Sequence, residues 1–207
     1  MHHIKFTGMS DFGIFMEMGW DHILQRDGLD HKLFVIVLAA VYQLSDWKKV
    51  LILVTAFTIG HSITLALATL GLIPFNIELI EFLIPVTIFL TAFSNLFRKE
   101  HRIATSKVQT NYVLAIGFGL IHGLGFSNYL RSILGRDHEI VSQLLAFNLG
   151  LEVGQIIIVA IFLVISFIFV DLIGIARRDW RLVISSAVGG VALYLMSRTD
   201  YWQNFIG

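Results

Sequence analysis

Ionisable and amide side chains stand inside stretches otherwise made of leucine, isoleucine, valine and phenylalanine. They are His22 in GWDHIL, Asp30 and His31 in GLDHKLF, His61 and Ser62 in FTIGHSITLA, His122 in GLIHGLGFSNY, and Asn148, Glu152 and Gln155 in FNLGLEVGQ, with Glu81 in IEFLIPVTI as a further candidate. An ionisable group at the centre of an apolar helix costs about 2.5–3.5 kcal/mol even on a lenient insertion scale, so such groups gather around an interior cavity and serve a purpose there. Imidazole nitrogen with carboxylate oxygen and no sulfur suits a divalent first-row metal, Ni, Co or Zn, better than Cu(I). The chain has no Cys, which removes thiolate ligands, Cys nucleophiles and disulfides together. No Lys or Arg lies deep in an apolar segment to neutralise Asp30, Glu81 or Glu152. A metal ion or protons are expected to supply the positive charge.

The elements that must position these groups are membrane helices. Of 207 residues, 56% are hydrophobic and 14% charged, whereas a water-soluble domain has about 45–50% and 25%. The net charge is zero, so no basic surplus exists to hold nucleic acid. The expected fold is all-α, a single domain over 1–207 built as a polytopic bundle of six spans, about 30–44, 50–72, 77–96, 112–134, 141–173 and 182–196, because only helices satisfy their own backbone in lipid at such lengths. A short helix at about 12–25 precedes them. Its 14 residues reach only about 21 Å, less than a hydrocarbon core of about 30 Å, which makes it re-entrant or interfacial. The first eleven residues lack the pattern of a signal peptide, and no cleaved leader is expected.

Nine of the fifteen Lys and Arg residues fall in the turns 45–49, 97–111 and 174–181. The positive-inside tendency puts these turns in the cytoplasm and the segment around Arg26 to Lys32 outside. Trp47 and Trp180 then mark inner boundaries, and Trp20 and Trp202 outer ones.

Spacing defines faces. Asn148, Glu152 and Gln155 stand at i, i+4 and i+7, and Thr58, His61 and Ser62 at i, i+3 and i+4, one stripe each. Gly119 and Gly123 bracket His122, and Gly150 and Gly154 bracket Glu152, in a spacing that lets helices approach closely in lipid. This predicts that the two helices bring an imidazole and a carboxylate together. By depth, His61, His122 and Glu152 each lie about 10 or 11 residues, roughly 15–16 Å, from the start of their spans, near mid-membrane. Asp30, His31 and His22 would roof the same outward-opening cavity. Each residue has a plainer reading as well. A lone buried His can simply bond a neighbouring helix, His22 can be interfacial beside Trp20, and Asp30 can cap a helix. Ser62 and Thr58 can bond their own backbone, Asn148 and Gln155 can bond across helices, and Pro85 reads as a kink. His2, His3, His101 and His138 read as solvated.

At these words the chain resembles the HupE/UreJ family of integral membrane proteins, and within it a shorter, Bacteroidetes-type branch. The resemblance runs from about Gly19 to Arg181 through GLDHKLF, FTIGHSITLA, IEFLIPVTI, FGLIHGLGFSN and FNLGLEVGQIIIV. Members are known as nickel permeases of hydrogenase and urease systems, which implies a multi-pass protein of the bacterial inner membrane. Asp30, His31 and His122 carry over as motif positions, while His61 and Glu152 rest on the resemblance and on depth. Two departures stand out. The family places five residues between the first His and Asp-His, where this chain has seven between His22 and Asp30, and the second His of its Phe-His-Gly motif has no counterpart in Gly125 to Ser127.

The expected function is a nickel or cobalt permease with a site formed by His22, Asp30, His31, His61, His122 and Glu152, open to the periplasm and supported by Ser62, Glu81, Asn148 and Gln155. Lipid and a metal ion are its expected partners, and a homo-oligomer stays open. Two alternatives remain at this point. One is a zinc-dependent intramembrane hydrolase with Glu152 as base, and the other a non-catalytic membrane assembly factor.

Overall fold

The computed structural model describes residues 10–25, 28–98, 108–134 and 140–206. Among them the structure is helical: α1 Asp11–Leu24, α2 Leu29–Ala39, α3 Trp47–Thr69, α4 Ile77–Leu96, α5 Val108–Leu134, α6 Ile140–Phe167, α7 Arg177–Ser197 and α8 Asp200–Ile206. Short turns join some of these, a 3-10 turn at Leu44–Asp46 and a π-helical end to α6 at Ile168–Leu172. The readings made for His2, His3, Lys5, Arg26, Lys99, His101, Arg102, Lys107, Arg136 and His138 lie outside the described residues.

Local chemistry sets the ends. Ser10 caps α1 through Gly13 N–H, and Asn76 caps α4 through Leu79 N–H, each supplying an acceptor to an otherwise orphaned amide. α3 stops in a turn where Leu72 N–H donates to the Leu67 carbonyl and Gly71 N–H to that of Ala68. This closure needs a left-handed residue, which Gly71 provides at φ +71°.

Five helices are long and apolar enough to cross a membrane, α3 (with the turn before it), α4, α5, α6 and α7. The first of the six expected spans, 30–44, is corrected: α2 has 11 residues, about 16 Å, too short to cross. Its apolar residues are turned inward instead, with Phe34 and Val37 fully buried. Its ends are tied to neighbours. Lys32 Nζ donates to the Leu24 and Gln25 carbonyls at the end of α1, and Asn95 of α4 donates to the Val37 carbonyl. The short helix expected at 12–25 is α1, which packs along α6.

The bundle exposes apolar side chains and buries a set of polar ones among its hydrophobic core. Ile52, Ile59 and Ile63 on α3, and Leu145, Leu149, Val153, Ile157 and Ile161 on α6, are exposed, while His31, His61, His122 and Gln155 are at most 2% exposed. Lipid suits the first set, while the second must find its partners inside the bundle.

Glycines decide which helices touch. A Cβ on Gly60 would strike the Ile116 carbonyl, one on Gly119 the Phe57 carbonyl and one on Gly123 the His61 carbonyl, so α3 and α5 meet backbone to backbone. Reciprocally, Gly19 abuts the Phe147 carbonyl and Gly150 the Met16 carbonyl, which joins α1 to α6. The expectation that the glycine faces of α5 and α6 carry His122 and Glu152 together is thereby corrected. Each face is filled by a partner with its own glycine, Gly60 on α3 and Gly19 on α1.

Candidate metal centre

Three imidazoles, each from a different helix, converge on His31 of α2. From its ring centroid, that of His22 lies 5.0 Å away, His122 5.1 Å and His61 5.4 Å. Asp30, His31 and His122 each offer a ligand atom within 4.8 Å of the others. His22 belongs to the last turn of α1 and Asp30 and His31 to the first turn of α2, so this part of the cluster straddles a break between two short helices. Such breaks are where membrane proteins place ion sites, because helix ends bring free backbone dipoles inward.

Hydrogen bonding fixes the state of three of the rings. The Asp30 carboxylate can only accept, so His31 Nδ1 carries the proton it donates to Oδ1 at 2.9 Å. Asp30 Oδ1 also accepts from His31 N–H at 2.7 Å. Asp30 is therefore not the helix cap, a place taken by Gly28. Thr87 spends its only hydroxyl proton on the Ile84 carbonyl at 2.7 Å and accepts from His122 Nε2 at 3.0 Å. Asn148 directs its amide nitrogen to the Leu144 carbonyl, which leaves Oδ1 to accept from His61 Nδ1 at 3.4 Å. In a neutral ring with one nitrogen protonated, the other holds a bare lone pair. Those nitrogens are His31 Nε2, His61 Nε2 and His122 Nδ1, all buried and, among the described residues, without a partner, as is His22 Nε2.

This pattern has a chemical meaning. A ring anchored by one N–H to a carboxylate, hydroxyl or amide oxygen, with its other nitrogen free, is how a metal-ligating histidine is held. Several buried acceptors without a donor are costly, and a cation held among Asp30, His31 and His122, whose ligand atoms lie within 4.8 Å of one another, would remove that cost for the nitrogens it reaches. Phenylalanines wall the cluster: Phe126 lies 4.0 Å from the His22 ring, and Phe57 and Phe34 lie 5.1 and 5.4 Å from that of His122.

The remaining expected residues fall elsewhere. Glu152 accepts from Thr55 Oγ1 at 2.7 Å and Gln155 from Thr58 Oγ1 at 3.0 Å. With His61 and Asn148 these make three polar rungs between α3 and α6. Thr55 precedes His61 by six residues, about 9 Å along the helix, so Glu152 sits beyond the imidazoles, toward the end of α3 bearing Lys48 and Lys49. Ser62 donates to the Thr58 carbonyl of its own helix. Glu81 is exposed. Pro85 is buried within α4, two residues before Thr87.

Thr87 and Thr55 escape a reading of the sequence, since a threonine in an apolar helix most often bonds its own backbone. Thr91 does so, to the Thr87 carbonyl. Only the position of α4 against His122 distinguishes the two.

The family model described as HupE / UreJ protein matches residues 2–199, which include the whole cluster. Comparison with curated proteins finds no match, and comparison with solved structures finds none.

Proposed function

The chain belongs to the HupE/UreJ protein family, and from that premise we propose that it is a membrane permease for a divalent transition-metal ion, nickel or cobalt. The observation that carries this reading is the set of buried, unpartnered imidazole nitrogens around His31. Asp30, whose side chain keeps 24% exposure, meets the cation first. His22, His31, His61 and His122 then replace part of its water shell. Nickel and cobalt are favoured by the nitrogen-rich, sulfur-free donor set together with the family.

Conduction requires an exit as well as a site. A cavity of about 260 Å³ begins at Phe34 and runs between α2, α4 and α5 to Tyr42, Arg98 and Asn111. Its far end is tied by Arg98 Nη2 donating to Asn111 Oδ1 at 2.9 Å and Asn111 Nδ2 donating to Tyr42 Oη at 3.1 Å. Phe34 is fully buried between this space and His122, so its ring is the barrier to onward movement. Glu152, one helical turn from Asn148, offers a carboxylate further inward and serves release rather than initial capture.

The test is uptake of Ni²⁺ or Co²⁺ into proteoliposomes containing a metal-sensitive dye. Wild type is expected to fill the vesicles faster than protein-free controls, and Phe34→Ala to raise the rate several-fold by removing the barrier. Because Phe→Ala in a core costs about 3–5 kcal/mol, Phe34→Leu accompanies it, with a smaller rise expected. Wild-type uptake no faster than in empty vesicles would overturn the permease reading. Metal held without transport, together with turnover of a lipid or amide, would favour the hydrolase.

A further inference from the structure

A second cavity, of about 360 Å³, lies at the opposite end of the bundle from His22, between the chain leaving α2, the start of α3, the end of α6 and the first turn of α7. Its charged lining consists of Asp46, Lys49, Asp171, Arg177 and Arg181. Four of these form pairs, Lys49 with Asp46 at 2.7 Å and Arg177 with Asp171 at 3.8 Å. Arg181 is left over. It is 5% exposed, and among the described residues its Nε has no hydrogen-bond partner.

Two neighbouring groups are also unpartnered among the described residues. Trp180, in the same lining, has a buried Nε1 without a partner, and so has Ser185 Oγ, one turn along α7 from Arg181. Arginine and tryptophan side chains donate and cannot accept. What is missing is therefore an acceptor, and beside a guanidinium it should carry negative charge, since a buried unpaired cation is costly. The helix adds to this. The cap of α7, Ala176, offers no side-chain acceptor to the first turn, and that turn, at the positive end of the helix dipole, borders the cavity at Arg177.

We propose that this cavity binds a phosphate group through Arg181, with Trp180 and the first turn of α7 completing the cradle. The phosphate belongs either to an anionic phospholipid headgroup or to a soluble phosphate. The planar fork of arginine matches phosphate oxygens in two places at once, and the positive-inside tendency puts this end of the bundle at the cytoplasmic leaflet. The site is independent of the metal centre, and its occupation is a separate question from transport.

The experiment measures the melting temperature of the full-length protein in neutral detergent, at matched ionic strength. One arm adds micelle-dispersed phosphatidylglycerol against phosphatidylcholine, and the other inorganic phosphate against chloride. A rise of several degrees in one arm is expected. A rise with phosphatidylglycerol alone assigns a lipid headgroup, and a rise with phosphate alone assigns a soluble ligand. Arg181→Gln, which removes the unpaired charge, should fold and lose the rise, and Arg178→Gln, on the exposed side of the same turn, should keep it. No rise in either arm, or an equal rise in Arg181→Gln, overturns the proposal.

Discussion

His31→Ala is expected to weaken Ni²⁺ or Co²⁺ binding by more than about 100-fold, because loss of a mere outer partner of a metal ligand already costs about 10–100-fold. His31 touches every other ring of the cluster, with centroids 5.0 to 5.4 Å away. Removing it takes away a ligand and separates the rest. Asp30→Asn should give an intermediate loss, since an amide can still accept from His31 Nδ1 but brings no charge. Glu152→Ala should change equilibrium affinity by only a few-fold, as its bond is to Thr55, while slowing uptake. Isothermal titration of the purified variants measures all three. Wild-type affinity in His31→Ala, or a loss in Glu152→Ala as large as in His31→Ala, would contradict this assignment.

The second large effect concerns the seam that brings His61 and His122 together. A Cβ at Gly119 would enter the Phe57 carbonyl and crowd His61 N, with backbone on both sides and no flexible side chain to yield. Overpacking of this kind costs about 1–3 kcal/mol for small additions. Gly119→Ala should lower the melting temperature by several degrees and weaken metal binding with it, and Gly119→Leu should leave little folded protein on size-exclusion chromatography. Gly117, two residues away on the same helix, has nothing within 4 Å of its would-be Cβ. Gly117→Ala should be neutral or slightly stabilising, by up to about 1 kcal/mol, because alanine loses less backbone freedom. Equal damage at both positions would mean that helix contact is not what these glycines provide.

The imidazoles of the centre were readable in the chain because lipid makes their burial expensive. His61 and His122 sit in the middle of apolar runs, where nothing but an interior role explains them. The close-approach glycines were readable for the same reason. Their pairing was not, since the G-x-x-x-G spacing states that a helix can be approached and is silent about which neighbour does so. Gly19 and Gly60 settle that, and they do so only in three dimensions. Depth along a helix likewise grouped Glu152 with the histidines, but depth was counted from each helix's own end, and the bond to Thr55 puts Glu152 about 9 Å further along α3 than His61.

His22 shows the converse. Its spacing to Asp30 departs from the family pattern, yet the intervening residues span the break between α1 and α2, where distance in sequence does not measure distance in space. The hydropathy of α2 resembled that of a span because a helix buried on all sides is as apolar as one facing lipid. Its length of 11 residues follows from where the chain turns at Ala40–Gln43, in a stretch without proline or glycine to announce it. Thr87, which fixes the tautomer of His122, has no signature beyond its type.

X-ray absorption at the nickel edge of the Ni²⁺-loaded protein tests the central claim most directly. Convergence of histidines from four helices on one cation predicts a nitrogen- and oxygen-ligated shell, with the outer-shell scattering that three or more imidazole rings produce. A shell of oxygen alone, or one with the imidazole signal unchanged in His31→Ala, would contradict it.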